Sequence, residues 1–118
     1  SRSIAAVLAQ AVTTLTIQPS EVITPYHIDG SAPAAPILRW SVTGGASVRV
    51  WGPGDGRPDG FTSNQRQGSA ALCPVLPDDP VCSPEPGTYE YRIEVRAADG
   101  SALGAQTARL TILAPPIP

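Results

Sequence analysis

The sequence predicts an all-β protein, a sandwich of about seven short strands in two antiparallel sheets. Three observations lead there. Side chains alternate strictly between apolar and polar along Gly87 to Ala97. Several other runs carry a matching apolar face. Eleven glycines and fourteen prolines interrupt the 118-residue chain at short intervals, leaving turns but no room for long helices.

The run from Gly87 to Ala97 organises the rest. Tyr89, Tyr91, Ile93, Val95 and Ala97 are apolar or aromatic, and Thr88, Glu90, Arg92, Glu94 and Arg96 between them are polar. A period of two belongs to a strand with one wet and one dry face. On the wet face the charges alternate in sign from Glu90 to Arg96, which discourages the surface from sticking to itself. The dry face needs an apolar cover from elsewhere in the chain.

In chain order, Val12 to Ile17 is rich in β-branched residues and reads as a first strand with Leu15 and Ile17 inward, stopped by Gln18-Pro19-Ser20. A short continuation covers Glu21 to Thr24, and Pro25 to Pro33 reads as a loop. Ile37 to Thr43 alternates, with Leu38, Trp40 and Val42 inward and Trp40 at the centre of the core. Gly44-Gly45 then allows a tight turn, and Ser47 to Trp51 returns as the partner strand. Val48 and Val50 point inward there, and Trp51 points outward beside Arg49. Gly52 to Phe61 is loop by composition, and Thr62 to Gln67 is polar and exposed. Ser69 to Cys73 is a short strand. Pro84 to Gly87 launches the charged strand, and Ala98 to Ser101 turns it back. Ala105 to Leu113 closes the pattern with Ala108, Leu110 and Ile112 inward. Residues 114–118, Ala-Pro-Pro-Ile-Pro, form a polyproline-like tail.

A chain of 118 residues makes a single core-bearing domain, residues 12–113. Net charge is −2, and the eight basic residues, all arginine, are scattered singly, so no basic patch for nucleic acid is present. The complete lack of lysine suggests a GC-rich bacterial genome. Cys73 and Cys82 flank a proline-laden loop, and closing a loop of this length contributes about 2.5–3 kcal/mol. A disulfide here places the protein outside the reducing cytosol. With one histidine and no second cysteine pair, a zinc site would lack ligands.

Residues 1–11 are open to several readings. Ile4, Val7, Leu8 and Ala11 have helical spacing, whereas Arg2, a short apolar run and Ala9-Gln10-Ala11 resemble the end of a secretory signal. The run is too short to span a membrane. A spacer from a preceding domain or anchor, and an extended arm that adds to a neighbour's sheet, are the other readings.

Residue types that carry chemistry are few. His27 lies in a loop without a serine, cysteine or aspartate arrangement around it. Asp55 and Asp59 invite calcium, but the alternating acids and closing glutamate of a helix-loop-helix site are missing, and aspartate before glycine is ordinary turn chemistry. Asp78 and Asp79 are adjacent in a loop, and Glu90 and Glu94 stand among arginines on a wet face. None forms a general acid and base pair. The chain is expected to be no enzyme and to need no cofactor.

The order of motifs resembles that of bacterial extracellular immunoglobulin-like domains over roughly residues 12–113. It is carried by Leu38-Arg39-Trp40-Ser41-Val42-Thr43-Gly44, Ser47-Val48-Arg49-Val50, Gly68-Ser69, Gly87-Thr88-Tyr89-Glu90-Tyr91, Asp99-Gly100 and Thr107-Ala108-Arg109-Leu110-Thr111-Ile112. The resemblance implies an immunoglobulin-like sandwich in a non-catalytic structural or adhesion module, extracellular or on the cell surface. It also implies a core of Leu38, Trp40, Val42, Val48, Val50, Tyr89, Tyr91, Ile93, Val95, Leu110 and Ile112. Two alternatives stand beside it. One is a filament or homo-oligomer subunit joined through the N-terminal arm, with Ile4, Val7 and Leu8 as contacts. The other is a carbohydrate-binding module using Tyr26, Trp51 and Phe61, with a cell-surface glycan as partner.

Overall fold

A computed structural model describes residues 12–78 and 80–116 of the chain. The expectations for residues 1–11, with Ile4, Val7 and Leu8, and for Asp79 and the last two residues lie outside this range.

Among the described residues ten strands form, in chain order β1 (Val12–Gln18), β2 (Glu21–Ile23), β3 (Tyr26–His27), β4 (Ile37–Thr43), β5 (Ser47–Gly54), β6 (Arg57–Ser63), β7 (Gln67–Ala71), β8 (Val81–Cys82), β9 (Gly87–Arg96) and β10 (Ala102–Leu113). They make three sheets: β1-β4-β7, β2-β10-β9-β5-β6 and the small β3-β8 pair. The fold is all-β, with more strands and one more sheet than the sequence suggests. The first two strands explain part of the difference. β1 pairs antiparallel with β4 in one sheet, Pro19 and Ser20 break it, and β2 then pairs parallel with β10 in the other. The breaker residues end one ladder and begin another.

Two connections differ from expectation. The Gly44-Gly45 turn does not fold β5 back on β4, because β4 is flanked by β1 and β7 and β5 by β6 and β9. It carries the chain from one sheet to the other. Gly45 holds φ at +76°, and a Cβ there would collide with Val95 on β9, so the turn packs directly on the neighbouring sheet. The stretch after Trp51 is no loop either. It is a hairpin of β5 and β6 turning at Asp55-Gly56, with a register shift between Gly52 and Gly54. Its glycines let the two backbones touch, since a Cβ on Gly60 would strike the Gly54 peptide.

Alternation decides the interior. Leu15, Ile17, Leu38, Trp40 and Val42 from the three-stranded sheet share one core with Val48, Val50, Tyr91, Ile93, Val95, Leu110 and Ile112 from the five-stranded sheet. Tyr89 and Ala108 are half-buried at its edge. Trp40 sits at its rim with 5% of its surface exposed, and its Nε1–H donates to the Gln65 carbonyl at 2.9 Å. The indole lies against Gly68, where a Cβ would stand 2.5 Å from Cζ2. A contact that close requires the ring to shift.

Two substitutions test this packing. Gly68→Ala is expected to cost about 1–3 kcal/mol by overpacking, and Trp40→Ala about 3–5 kcal/mol by removing a buried aromatic. Urea unfolding measures both, and a neutral Gly68→Ala would contradict the close ring contact.

Candidate functional site

Two surfaces combine side chains that could meet a partner. The first is the outward face of the five-stranded sheet. Register places Thr62, Trp51, Arg92 and Thr107 in one row across β6, β5, β9 and β10. Arg49 stands two residues before Trp51 and opposite Glu94. The Arg49 guanidinium carbon lies 4.5 Å from the Trp51 ring centroid and that of Arg92 5.8 Å. Both are within cation–π range, worth roughly 0.5–1 kcal/mol each at an exposed site. The half-exposed Trp51 therefore has two cations against its ring.

The other charges on this face are occupied. Glu94 pairs with Arg96, and Arg109 Nε donates to Glu90 Oε1 at 2.9 Å. Among the described residues no carboxylate lies within ion-pair distance of Arg49 or Arg92. Exposed ion pairs add little stability, about 0–1 kcal/mol. Their effect here is to decide which arginines stay free.

The second surface is the loop end, where the Cys73–Cys82 disulfide closes its loop beside the β5–β6 turn. Asp55 and Gly56 donate their amides to the carbonyls of Cys73 and Pro74, at 3.2 and 3.1 Å. A hollow of about 190 Å³ opens there, lined by Ile28, Pro53, Phe61, Leu72, Cys73 and Pro77. That is below the roughly 300 Å³ at which small-molecule pockets begin. No acid or base pair converges on it. Leu76, 75% exposed, projects from the stapled loop and is the most exposed large apolar side chain described.

Two aromatic candidates are corrected. Tyr26 is 1% exposed, and its hydroxyl donates to the Leu72 carbonyl at 2.7 Å. That carbonyl faces Pro36, which has no N–H to offer it, so the phenol supplies the missing donor. Phe61 is half-buried and packs edge-on against Trp40 and Tyr91, with centroids 5.8 and 6.3 Å apart. Both serve the interior, and only Trp51 of the three faces outward. Sequence alone missed Arg92, which reaches Trp51 from another strand and becomes its neighbour only through the β5–β9 register.

The remaining candidates are placed as follows. His27 is half-buried in the β3–β8 sheet, its N–H of the backbone donating to Pro33 at 2.8 Å and its Nδ1 enclosed without a partner. Asp78 exchanges backbone hydrogen bonds with Val81. Asp29 is fully exposed and held below the usual carboxylate range by the amide and hydroxyl of Ser31, with a smaller share from His27. Asp99 is lowered in the same way by the hydroxyl and amide of Ser101. These carboxylates stabilise turns. Among the described residues no three metal-ligating side chains gather, and no helix is long and apolar enough to cross a membrane.

Comparison with protein-family models, with curated proteins and with solved structures gives no match to this chain. Function must be argued from its own geometry.

Burial raises the Tyr26 and Tyr91 phenols far above their ordinary value of 10.0, with smaller contributions from neighbouring tyrosines. The sign follows from linkage. A phenol that stays protonated in the folded chain after the unfolded chain has released its proton lowers stability as pH rises. The melting temperature is expected to fall once pH passes about 10, the unfolded phenol value. Tyrosinate absorbance from these two rings should appear only with unfolding, and their titration in the folded protein near pH 10 would contradict their burial.

Proposed function

We propose that the chain is a non-catalytic extracellular module of a surface or secreted protein, built as an immunoglobulin-like sandwich and acting as a spacer or adhesive unit. The observation that carries this reading is strand order. In such sandwiches the first, second and fifth strands share one sheet, and the third, sixth and seventh share the other. Reading β1, β4, β5, β7, β9 and β10 as strands A, B, C, E, F and G gives that division, with β6 as an added strand beside C. Strand D is replaced by the direct passage from β6 to β7, and the β3–β8 pair is an addition at the loop end.

The disulfide supports a compartment that does not reduce it, as in secreted and cell-surface proteins. Four surface carboxylates support a non-catalytic role because they are engaged structurally, Glu90 with Arg109, Glu94 with Arg96, Asp29 with Ser31 and Asp99 with Ser101. Binding would then fall to side chains on a rigid frame.

A second reading, a carbohydrate-binding module, draws on the Arg49–Trp51–Arg92 cluster and the hydroxyl side chains beside it. Titration with acidic and neutral polysaccharides should quench Trp51 fluorescence if that reading holds, and Trp51→Ala should abolish the change. An unaltered spectrum with both sugars would remove it.

The main reading is tested in the native cell. An antibody to the chain should label intact cells, and Cys73 and Cys82 should resist alkylation unless first reduced. Labelling only after permeabilisation, or two freely alkylated thiols, would overturn it. Reduction in vitro should lower stability by about 2.5–3 kcal/mol in the chain-entropy account, with the far-ultraviolet spectrum retained.

A further inference from the structure

Four strands lie at the margins of the two larger sheets, and three of them are blunted. The Thr13 carbonyl of β1 is occupied by Gln106 Nε2 at 2.7 Å. β2 is three residues long and begins with Glu21. β6 opens with Arg57, Pro58 and Asp59. A covering contact, shortness, charge and proline all prevent an edge from pairing with another chain. β7, Gln67-Gly68-Ser69-Ala70-Ala71, has neither charge nor proline and only small neighbours around Ser69.

Its ladder with β4 shows which groups are left over. The Val42 amide donates to the Arg66 carbonyl at 2.8 Å, and the Leu72 amide to the Pro36 carbonyl at 3.0 Å. Between these two bonds the register runs from Ser41↔Gln67 to Ile37↔Ala71. Bonded and non-bonded pairs alternate in an antiparallel ladder. Gly68 and Ala70 therefore direct their amides and carbonyls at β4. Those of Gln67, Ser69 and Ala71 point away from it, and among the described residues no strand pairs with them. Three donors and three acceptors stand in a row along an unprotected edge.

We propose that this edge accepts the N-terminal segment of a second copy of the chain as an added strand. The segment Ile4 to Ala11 contains no charge, proline or glycine, which suits a neutral edge of small residues. It precedes β1, whose first described residue, Val12, stands opposite Thr43, the last residue of β4. It also lacks glycine, proline, asparagine, aspartate and serine, the residues that reverse a chain. Doubling back onto its own β7 is disfavoured, and a neighbour's β7 is the available ladder. Eight extended residues span roughly 26 Å, enough to run past all of β7. Main-chain hydrogen bonds supply the affinity, as in other strand additions. Donor segment and acceptor edge are different surfaces, so every copy can give one strand and receive another. Such a contact does not close on itself unless the rotation permits a ring, and it produces strings of copies.

The test uses the full 118-residue chain. Sedimentation velocity at millimolar concentration should show species larger than the 12.2 kDa monomer. Removing residues 1–11 should eliminate them. Ser69→Pro should do the same without loss of fold, because the Ser69 amide makes no bond to β4; circular dichroism and Trp40 fluorescence report the fold. A peptide of residues 1–11 added to the truncated chain should slow amide exchange at Gln67, Ser69 and Ala71, and leave Gly68 and Ala70 unchanged. A full-length chain that stays monomeric, or a peptide without effect on those three amides, overturns the proposal. So does assembly that survives loss of residues 1–11, which would assign the edge to a second β7, and so does assembly that survives Ser69→Pro.

Discussion

An indole ring is flat and large, and its face packs closely only where no side chain stands in the way. Gly68 gives Trp40 that place. The ring then lies on β7 from its position in β4, meets Phe61 of β6 at 71° between ring planes, and ties the connector at Gln65 through its N–H. Phe61 in turn meets Tyr91 of β9, whose ring fits over Gly52 of β5 and whose hydroxyl donates to the Pro53 carbonyl at 2.6 Å. This relay of aromatic rings and bare backbone joins the two larger sheets at the side where the β6–β7 connector crosses between them. Removing the space at Gly68 would disturb a chain of contacts that runs through five strands.

The strands with clean alternation, β4, β9 and β10, are legible from sequence because their wet and dry faces differ at every residue. The cysteine loop is legible because ten residues with three prolines gain little order without a staple. The β5–β6 hairpin was hidden by its composition. Glycine serves both flexible loops and tight backbone contact, and only the fold shows that Gly54 and Gly60 serve the second purpose. Gly44-Gly45 is ambiguous in the same way, since positive φ suits a hairpin and a crossing between sheets equally. Tyr26 sits among prolines and glycines, a surface signature, yet it is buried to satisfy a carbonyl that Pro36 leaves unpaired.

The candidate surfaces divide along the same line. Trp51 and Arg49 lie two apart in one strand, so parity alone sets them side by side facing outward. Arg92 requires knowledge that β5 and β9 are neighbours in a particular register. Two other contacts decide which arginines are neutralised, since Glu94 pairs within β9 with Arg96 and Glu90 pairs across the β9–β10 ladder with Arg109, leaving Arg49 and Arg92 aside. Charge alternation along β9 predicts a balanced face; one pair within β9 and one across to β10 leave it locally cationic around one ring.

The division of the first strand between two sheets also has a mechanical meaning. β1 enters at Val12, β2 continues in the same direction in the other sheet, and β10 runs parallel to β2 and leaves at Leu113. Tension applied across the body from Val12 to Leu113 acts along these ribbons and loads the rungs of both ladders together. Shear of that kind resists rupture better than unzipping, in which rungs fail singly. A body pulled by its two ends gains strength from this arrangement with no added mass.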